Sequence, residues 1–500
     1  MSTSATETAA PAPHEAAPGW MERWGDRLNP LVVKEVRQGV RSRIFWVCFG
    51  LMLLACFVIS LVAFVSTRDN VLSAQGAGYF VAFFVCLGTV HFFIIPYSAY
   101  RSLAREREDE TWVLLVLTGL GPRRILWGKV SSYLVQAGLY ASAAGPFLLF
   151  SYYLNGIDLP TILVVLALGG LWLVFLTVVA VCAATLADER LGRALVHFLL
   201  LGGLGMSALY GMVSAGVLSE QGFRFITRDN GFVAFVVAFL WMMLSGAWLL
   251  FETAAARLSL LTENYSRGPR LALAVQVVGS ALVAVGVILS LTPDPGFAAV
   301  LSILGCLHLS LVGVFMVSDH DGQARALRAG TRPWSLLRPG ALRGFRLLVL
   351  LLLVWGGLCA GLHLLLMNLA TSPPTGFSLL GVLAAPLYAI LYLALPVVVG
   401  RMPRSDRLAS PALMRVLYFG LVGLGGALPP LVSLLLDMPA DEPLMNLLNP
   451  FVGLDHFNSS RRLESAMNGG MLACVGVMAG LMAFAADRVL VERERRAHAS

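Results

Sequence analysis

Long apolar runs that lack charged residues recur along the whole chain and constrain its fold more than any other feature. Each run reaches the ~20 residues that a helix needs to cross the hydrocarbon core of a bilayer. Lipid offers no hydrogen-bond partners, so a spanning segment of this kind must satisfy its own backbone as a helix. The chain is 13% charged, against ~25% in ordinary globular domains. The sequence therefore predicts an all-α polytopic membrane protein with about twelve transmembrane helices.

Each predicted span is placed on its apolar run, with ends set to within a few residues. The connection Asp437–Met467 is too apolar for a free linker, and we expect it to pack on the outer face of the membrane. The expected spans are Ile44–Ser66, Gly78–Tyr100, Val130–Leu154, Thr161–Ala187, Ala194–Leu218, Phe232–Phe251, Leu271–Leu291, Phe297–Val317, Leu347–Leu369, Phe377–Val399, Val416–Leu436 and Met467–Ala486.

The basic residues give the spans an orientation. If the N-terminus is placed in the cytosol, nearly all of the 36 Lys and Arg residues fall in cytosolic connections. This asymmetry follows the positive-inside rule. It predicts that both termini are cytosolic, and we expect the chain to lie in the cytoplasmic (inner) membrane of a bacterium. Anionic membrane lipids account for the net charge of +7, so no nucleic acid partner is expected. The external exceptions are Arg68, Arg224, Arg228, Arg461 and Arg462.

Five segments follow from this placement. Residues 1–19 are rich in Ala, Thr and Pro and are predicted to be a disordered tail. Residues 20–43 are predicted to form an amphipathic helix on the inner membrane surface, although a simple basic anchor would explain them equally well. Residues 44–251 and 252–486 are predicted to be two membrane domains of six spans each. Residues 487–500 complete the chain as a cytosolic tail.

The connection between the second and third spans is unusual. It begins with charged residues of both signs, continues through the short apolar run Trp112–Leu117 and ends with Arg123, Arg124 and Lys129. Six apolar residues are too few to cross a bilayer. The segment is therefore either a loop that rests on neighbouring spans or a docking element for a soluble partner.

Nothing in the spans indicates a power source or an active site. No Asp, Glu, Lys or Arg is predicted well inside a span, whereas ion-driven carriers normally place one there. Four lone histidines are interpreted as packing residues, and the seven cysteines form no CxxC pair. The stretch Gly121–Lys129 fails the Walker A spacing. We therefore expect no catalytic, cofactor or metal site in this chain, and an ATPase as a separate subunit.

Two segments carry a resemblance to a known family. Asn29–Arg43 (NPLVVKEVRQGVRSR) and Glu106–Lys129 (EREDETWVLLVLTGLGPRRILWGK), followed by a third span containing Pro146, resemble permease subunits of the ABC type-two exporter family. Glu110 and Gly119 depart from the usual Gly and Pro of its loop. The matching loop residues are Glu106, Glu108, Thr111, Leu114, Leu115, Thr118, Arg123, Arg124, Gly128 and Lys129.

The resemblance implies a function. Glu106–Lys129 would be a cytosolic coupling helix that docks in a groove of the ATPase subunit, and residues 44–251 would be the permease core. The interface helix, with Lys34, Glu35, Arg37 and Arg41, would lie alongside the coupling helix. ATP and magnesium would bind in the partner ATPase, and the chain would form a homodimer or a heterodimer with another permease.

The twelve spans leave alternatives open. The family usually has six spans per subunit, so the chain is either two fused halves related by an axis along the membrane normal or a permease core with an accessory domain. The segment Leu186–Arg193 (LADERLGR) is similar to a loop signature of major-facilitator transporters, but it follows the fourth span instead of the second. A secondary carrier and a non-transport membrane scaffold are therefore the alternative functions.

Overall fold

The computed structural model describes residues 30–69, 75–109, 120–187, 189–260, 262–291, 294–321, 327, 335–369, 378–401, 410–439, 442–459 and 465–499. Across these ranges the regular structure is helical and no strand is found. Twelve of the helices are long and apolar enough to cross a membrane. The prediction of an all-α polytopic membrane protein with about twelve spans is confirmed at this level.

A short helix precedes the spans, and a second short helix lies between the last two. We number the helices in chain order: α1 Pro30–Val40, α2 Arg43–Asp69, α3 Gly76–Glu108, α4 Pro122–Tyr153, α5 Leu159–Leu186, α6 Arg190–Arg228, α7 Asn230–Leu258, α8 Arg267–Leu291, α9 Gly296–Val317, α10 Ala341–Leu369, α11 Leu379–Arg401, α12 Pro411–Leu435, α13 Val452–Ser459 and α14 Ser465–Ala499.

Several helices continue beyond the predicted spans. Helix α3 runs past Tyr100 to Glu108, and α4 starts at Pro122 instead of Val130. Helix α14 likewise continues to Ala499. Hydropathy marks where a helix leaves lipid, but charged residues with good helix propensity extend the same helix into water. Consequently, residues 101–108 and 122–129 of the predicted connection 101–129 are helical, and so is most of the tail 487–500.

The buried apolar side chains form two main cores. One is built from α2 to α7 and the other mainly from α8 to α14. The two cores meet where α7 packs on α8, and side-chain hydrogen bonds fix that joint. The Trp241 indole donates to Ser280 Oγ at 3.0 Å, and the Gln276 amide donates to Ser245 Oγ at 3.2 Å. Gly279 lies against the Trp241 ring, where a Cβ atom would clash.

The helix packing of the first six spans recurs in the second six. In the first half, the fourth span α5 contacts α3, α4, α6 and α7. In the second half, the fourth span α11 contacts the equivalent helices α9, α10, α12 and α14. The third and sixth spans also meet in both halves, as α4 with α7 and α10 with α14. The two halves therefore share the contacts of a central fourth span and the contact between their third and sixth spans.

The connection between the last two spans reaches back into the bundle. The Tyr388 and Tyr392 hydroxyls donate to the carbonyls of Leu447 and Leu448 at 2.8 and 2.7 Å. Tyr392 lies roughly 20 Å along α11 from its first residue, at the usual helical rise. The connection therefore contacts α11, and its packing on the outer face of the membrane stays a prediction. The two carbonyls lie in the 3₁₀-helical turn Met445–Leu448, and the fully buried Asn449 that follows it donates to the Gly426 carbonyl at 3.1 Å.

Candidate functional site

The residues singled out in the first half meet at one end of the bundle. We call this end the basic face and define it by the end of α3 at Glu108 and the start of α4 at Pro122. At its centre lies Lys129, whose side chain is fully buried. The Lys129 ammonium lies 2.7 Å from Glu106 Oε1 and 3.2 Å from Glu35 Oε1. A hydrogen bond to Ser102 Oγ at 3.1 Å completes the group, which we call the Lys129 cluster.

Helix geometry explains how three helices supply this cluster. Ser102 and Glu106 are four residues apart and so share one face of α3. On α1, Leu31 and Glu35 are buried while Lys34 faces outward. A buried ammonium needs a charge partner and hydrogen bonds to offset the loss of hydration. Lys129 receives both, so the cluster ties α1 and α3 to α4.

The predicted interface helix is only partly described, because residues 20–29 lie outside the described ranges. Its other predicted basic residues, Arg37 and Arg41, are exposed together with Lys34. Gly39 approaches the Gln136 side chain of α4 so closely that a Cβ atom would lie 2.4 Å from the Gln136 amide nitrogen. The described part thus packs on α4 through one face. Its position at the membrane surface stays a prediction.

The start of α4 is tied to the second half of the chain. The Arg123 guanidinium donates to Glu252 Oε2 of α7 at 2.7 and 3.1 Å. Gly268, at the start of α8, lies against the same carboxylate, and an added Cβ atom would be 1.9 Å from Glu252 Oε2. Arg124, the next residue, is exposed, and Gly128 is buried. Arg123, Glu252 and Gly268 thus bring three helices from both halves together.

The end of α5 is capped by arginines from its neighbours. A helix leaves its last carbonyls without intrahelical partners, and cations are favourable there. Arg107 donates to the Ala184 carbonyl at 3.1 Å, and Arg257 donates to the Thr185 carbonyl at 3.2 Å. Glu108, at the end of α3, lies 3.8 Å from Arg193 in a half-exposed ion pair. These contacts hold the basic-face ends of α3, α5, α6 and α7 in register.

Four of the predicted docking residues, Thr111, Leu114, Leu115 and Thr118, lie outside the described residues, as does the run Trp112–Leu117. The coupling helix therefore stays a prediction. The structure does describe both of its flanks. Sequence reasoning missed Ser102 and Gly268 as parts of the flanking contacts. Only the spacing of Ser102 from Glu106 could have indicated the first, and no local signal indicated the second.

The second half carries its own ion pairs at the basic face. Arg343 pairs with Glu494 at 2.7 Å, and Arg401 pairs with Asp321 at 2.8 Å. Arg270 donates to the carbonyls that precede α10, including Gly340 at 3.0 Å. These pairs were not foreseen, because their partners are far apart in sequence. The arginine-rich connection Ser318–Arg346 was their only local signal.

Asp321 and Tyr265, which lie outside the spanning helices, have shifted pKa values. Burial raises the pKa of the Asp321 carboxyl, while the neighbouring Arg401 opposes that rise. Burial also raises the pKa of the Tyr265 phenol, and the Asp319 carboxylate adds to the effect. The Tyr265 hydroxyl donates to Asp319 Oδ1 at 2.8 Å, which the protonated phenol alone can do. Asp319 also accepts from the backbone amide of Gly340 at 3.2 Å.

The span histidines each lie beside one hydrogen-bond partner. His91 contacts the Ala137 carbonyl at 3.0 Å, and His308 contacts Gln276 Oε1 at 3.0 Å. His197 lies 3.5 Å from the Tyr97 hydroxyl, and His363 lies 3.3 Å from the Pro295 carbonyl. Among the described residues, no group of three or more His, Cys, Asp or Glu side chains could hold a metal ion.

Comparison with known proteins adds no assignment to this geometry. No protein-family model, no curated protein and no solved structure matches the chain. The candidate site thus depends on the contacts at the basic face and on the residues of Asn29–Arg43 and Glu106–Lys129.

Proposed function

We propose that this chain is the membrane-spanning permease subunit of an ATP-driven ABC exporter. It would form the passage and dock a separate cytosolic ATPase through the segment Glu106–Lys129, with the basic face in the cytosol of a bacterium. The observation that carries the proposal is the Lys129 cluster, because it joins the two segments that resemble the family. Glu35 comes from the first segment, and Glu106 and Lys129 come from the ends of the second.

The contacts support a mechanical role for these flanks. A force applied to residues 109–121 would reach α3 through Glu106 and α4 through Arg123 and Lys129. The Lys129 cluster would move α1 with them, since its ammonium contacts both carboxylates. The Arg123 ion pair with Glu252 would carry the same displacement to α7 and, through the close approach of Gly268, to α8. ATP binding and hydrolysis would occur in the partner ATPase.

We further propose that the chain is two fused halves. The recurring packing around α5 and α11 supports this. So do two pairs of equivalent polar contacts. Arg257 of the sixth span donates to the end of the fourth span at Thr185, and Arg493 of the twelfth span donates to the end of the tenth at Arg401. Likewise, Arg123 pairs the third span with the sixth, and Arg343 pairs the ninth with the twelfth.

A neighbouring gene that encodes a Walker-motif ATPase would supply the partner for a co-purification test of docking. Leu114→Asp or Leu115→Asp would place a charge in the proposed docking helix and should release the ATPase from membranes. Leu260→Asp is the matched control, because Leu260 is an exposed leucine on the same face between α7 and α8. Equal ATPase recovery from the three variants would contradict the docking role.

One observation favours the secondary carrier instead. A buried lysine paired with two carboxylates is the kind of group that relays protons in carriers. The Lys129 cluster has this composition, although it lies at the basic face and not midway along the spans. Transport by the purified chain in vesicles, driven by a membrane potential and without any ATPase, would support the carrier. Transport only with the ATPase and ATP would support the exporter.

A further inference from the structure

A cavity of about 530 Å³ opens beside the Lys129 cluster. Its walls are α1, the first turns of α2, the second half of α3 and part of α4. Helix α2 packs on the Gly76–Thr89 part of α3. The cavity lies nearer the basic face, beside the last turns of α3. There it is bounded by helices of the first half alone.

The shape of α3 changes where the cavity begins. Residues Val90–Ile94 form a π-helical turn, which inserts an extra residue into the helix and is often found at functional sites. Phe93 and Ile94 of this turn line the cavity, together with Phe45 from α2. The π-turn thus supplies two of the apolar side chains at the end of the cavity that lies deeper in the bundle.

The opposite end of the cavity is polar and basic. Arg101 and Arg105 line it, one helical turn apart on α3, and both are exposed. Glu35 and Glu106 also line it, but both carboxylates already contact the Lys129 ammonium. Two carboxylates against one ammonium leave one negative charge, so Glu35, Glu106, Lys129, Arg101 and Arg105 together carry a net charge of +1. Arg105 and Phe93 are twelve residues apart, which separates the polar and apolar ends by roughly 18 Å.

We propose that this cavity binds an anionic phospholipid from the membrane leaflet on the basic face. The phosphate would accept hydrogen bonds from Arg101 and Arg105, and an acyl chain would lie against Phe45, Phe93 and Ile94. Guanidinium groups suit phosphate because they donate in a planar fork. A free anion would use only the polar end, whereas a lipid matches the whole length. This inference stands independently of the proposed transport function.

Counting bound lipids by native mass spectrometry tests the proposal. The full chain would be released from nanodiscs of phosphatidylcholine doped with phosphatidylglycerol. The variant R101Q/R105Q should bind phosphatidylglycerol about tenfold more weakly for each charge-assisted hydrogen bond lost. The control R190Q/R267Q removes two exposed arginines from the same face outside the cavity and should bind as the native chain does. Equal loss in both double variants would overturn the site.

The apolar end and the lipid source need their own measurements. Phe93→Ser should weaken phosphatidylglycerol binding, whereas Phe198→Ser, at an exposed phenylalanine of α6 outside the cavity, should not. Inorganic phosphate should fail to displace the lipid at concentrations that leave the protein intact. Full displacement by phosphate, or unchanged lipid binding by Phe93→Ser, would show a small-anion site instead and would contradict the proposal.

Discussion

The ammonium of Lys129 donates to Glu35 Oε1 across 3.2 Å, although 94 residues separate them in the sequence. The contact joins the short helix before the first span to the beginning of the third. Glu106 completes the arrangement at 2.7 Å from the same ammonium. Because Lys129 is fully buried, its ammonium has lost its hydration, and the two carboxylates offset that loss. The joint between α1, α3 and α4 therefore depends on this cation.

Lys129→Met should destabilise the protein by on the order of 3–5 kcal/mol, because it leaves two poorly hydrated carboxylates without their cation. The midpoint of thermal unfolding in nanodiscs measures the change. The triple variant K129M/E35Q/E106Q removes the charges together and should recover much of the lost stability. A triple variant as unstable as the single one would mean that Lys129 acts through packing alone.

Gly268→Ala should disrupt the contact between the two halves. Its Cβ atom would overlap Glu252 Oε2 and lie 2.9 Å from the Arg123 guanidinium, so the ion pair between these two side chains must rearrange. Gly286→Ala lies in the same helix with open space around the added Cβ and is the matched control. We expect a lower unfolding temperature and easier proteolysis near residues 259–266 for Gly268→Ala only. If both variants behave alike, α8 does not depend on this close approach.

The ion pairs of α14 should contribute differently to the free energy of unfolding, according to their burial. Arg346 donates to both carboxylate oxygens of Asp487, at 2.7 and 2.9 Å, and both side chains are less than a third exposed. Asp487→Asn should therefore cost roughly 1–2 kcal/mol. Glu492, in an exposed pair with Arg496, is the comparison, and Glu492→Gln should cost at most about 0.5 kcal/mol. Denaturant titration in detergent gives both values. Similar costs would argue against burial as the cause.

The second half should lose stability in alkaline solution partly through Tyr265. Burial and the Asp319 carboxylate raise the pKa of this phenol, so the folded chain keeps the proton that the unfolded chain releases near pH 10. Stability from this group is complete below about pH 10 and falls as the pH rises further. Tyr265→Phe should be less stable at neutral pH and should decline less steeply above pH ~10. Parallel pH profiles would contradict this role.

Fused halves predict a particular stoichiometry. If one chain supplies both halves of the passage, the complex should contain a single permease chain and two ATPase subunits. Native mass spectrometry of the co-purified complex measures this composition directly. A complex with two permease chains would instead favour a six-span core with an accessory domain. The outcome is independent of where the ATPase docks.

Hydropathy was sufficient for the membrane class and for the number of spans, because burial in lipid depends on local apolar content. Hydropathy predicted the ends of the helices less well. Helix α3 continues through charged residues to Glu108, and α4 already begins at Pro122. Lys129 therefore lies within a helix and not in a loop. Hydropathy also did not predict that the connection Asp437–Met467 folds back onto α11, since this contact depends on hydrogen bonds from two tyrosines.

The sequence by itself determined that this chain has about twelve apolar helices long enough to cross a membrane, and it identified Glu35, Glu106 and Lys129 as members of two notable segments. Only the tertiary structure decided that the three charges meet, and that Arg343 pairs with Glu494 across 151 residues. The physical reason is that lipid exposure is a property of each segment alone. Ion pairs instead depend on how the helices rotate and align when their side chains pack against one another.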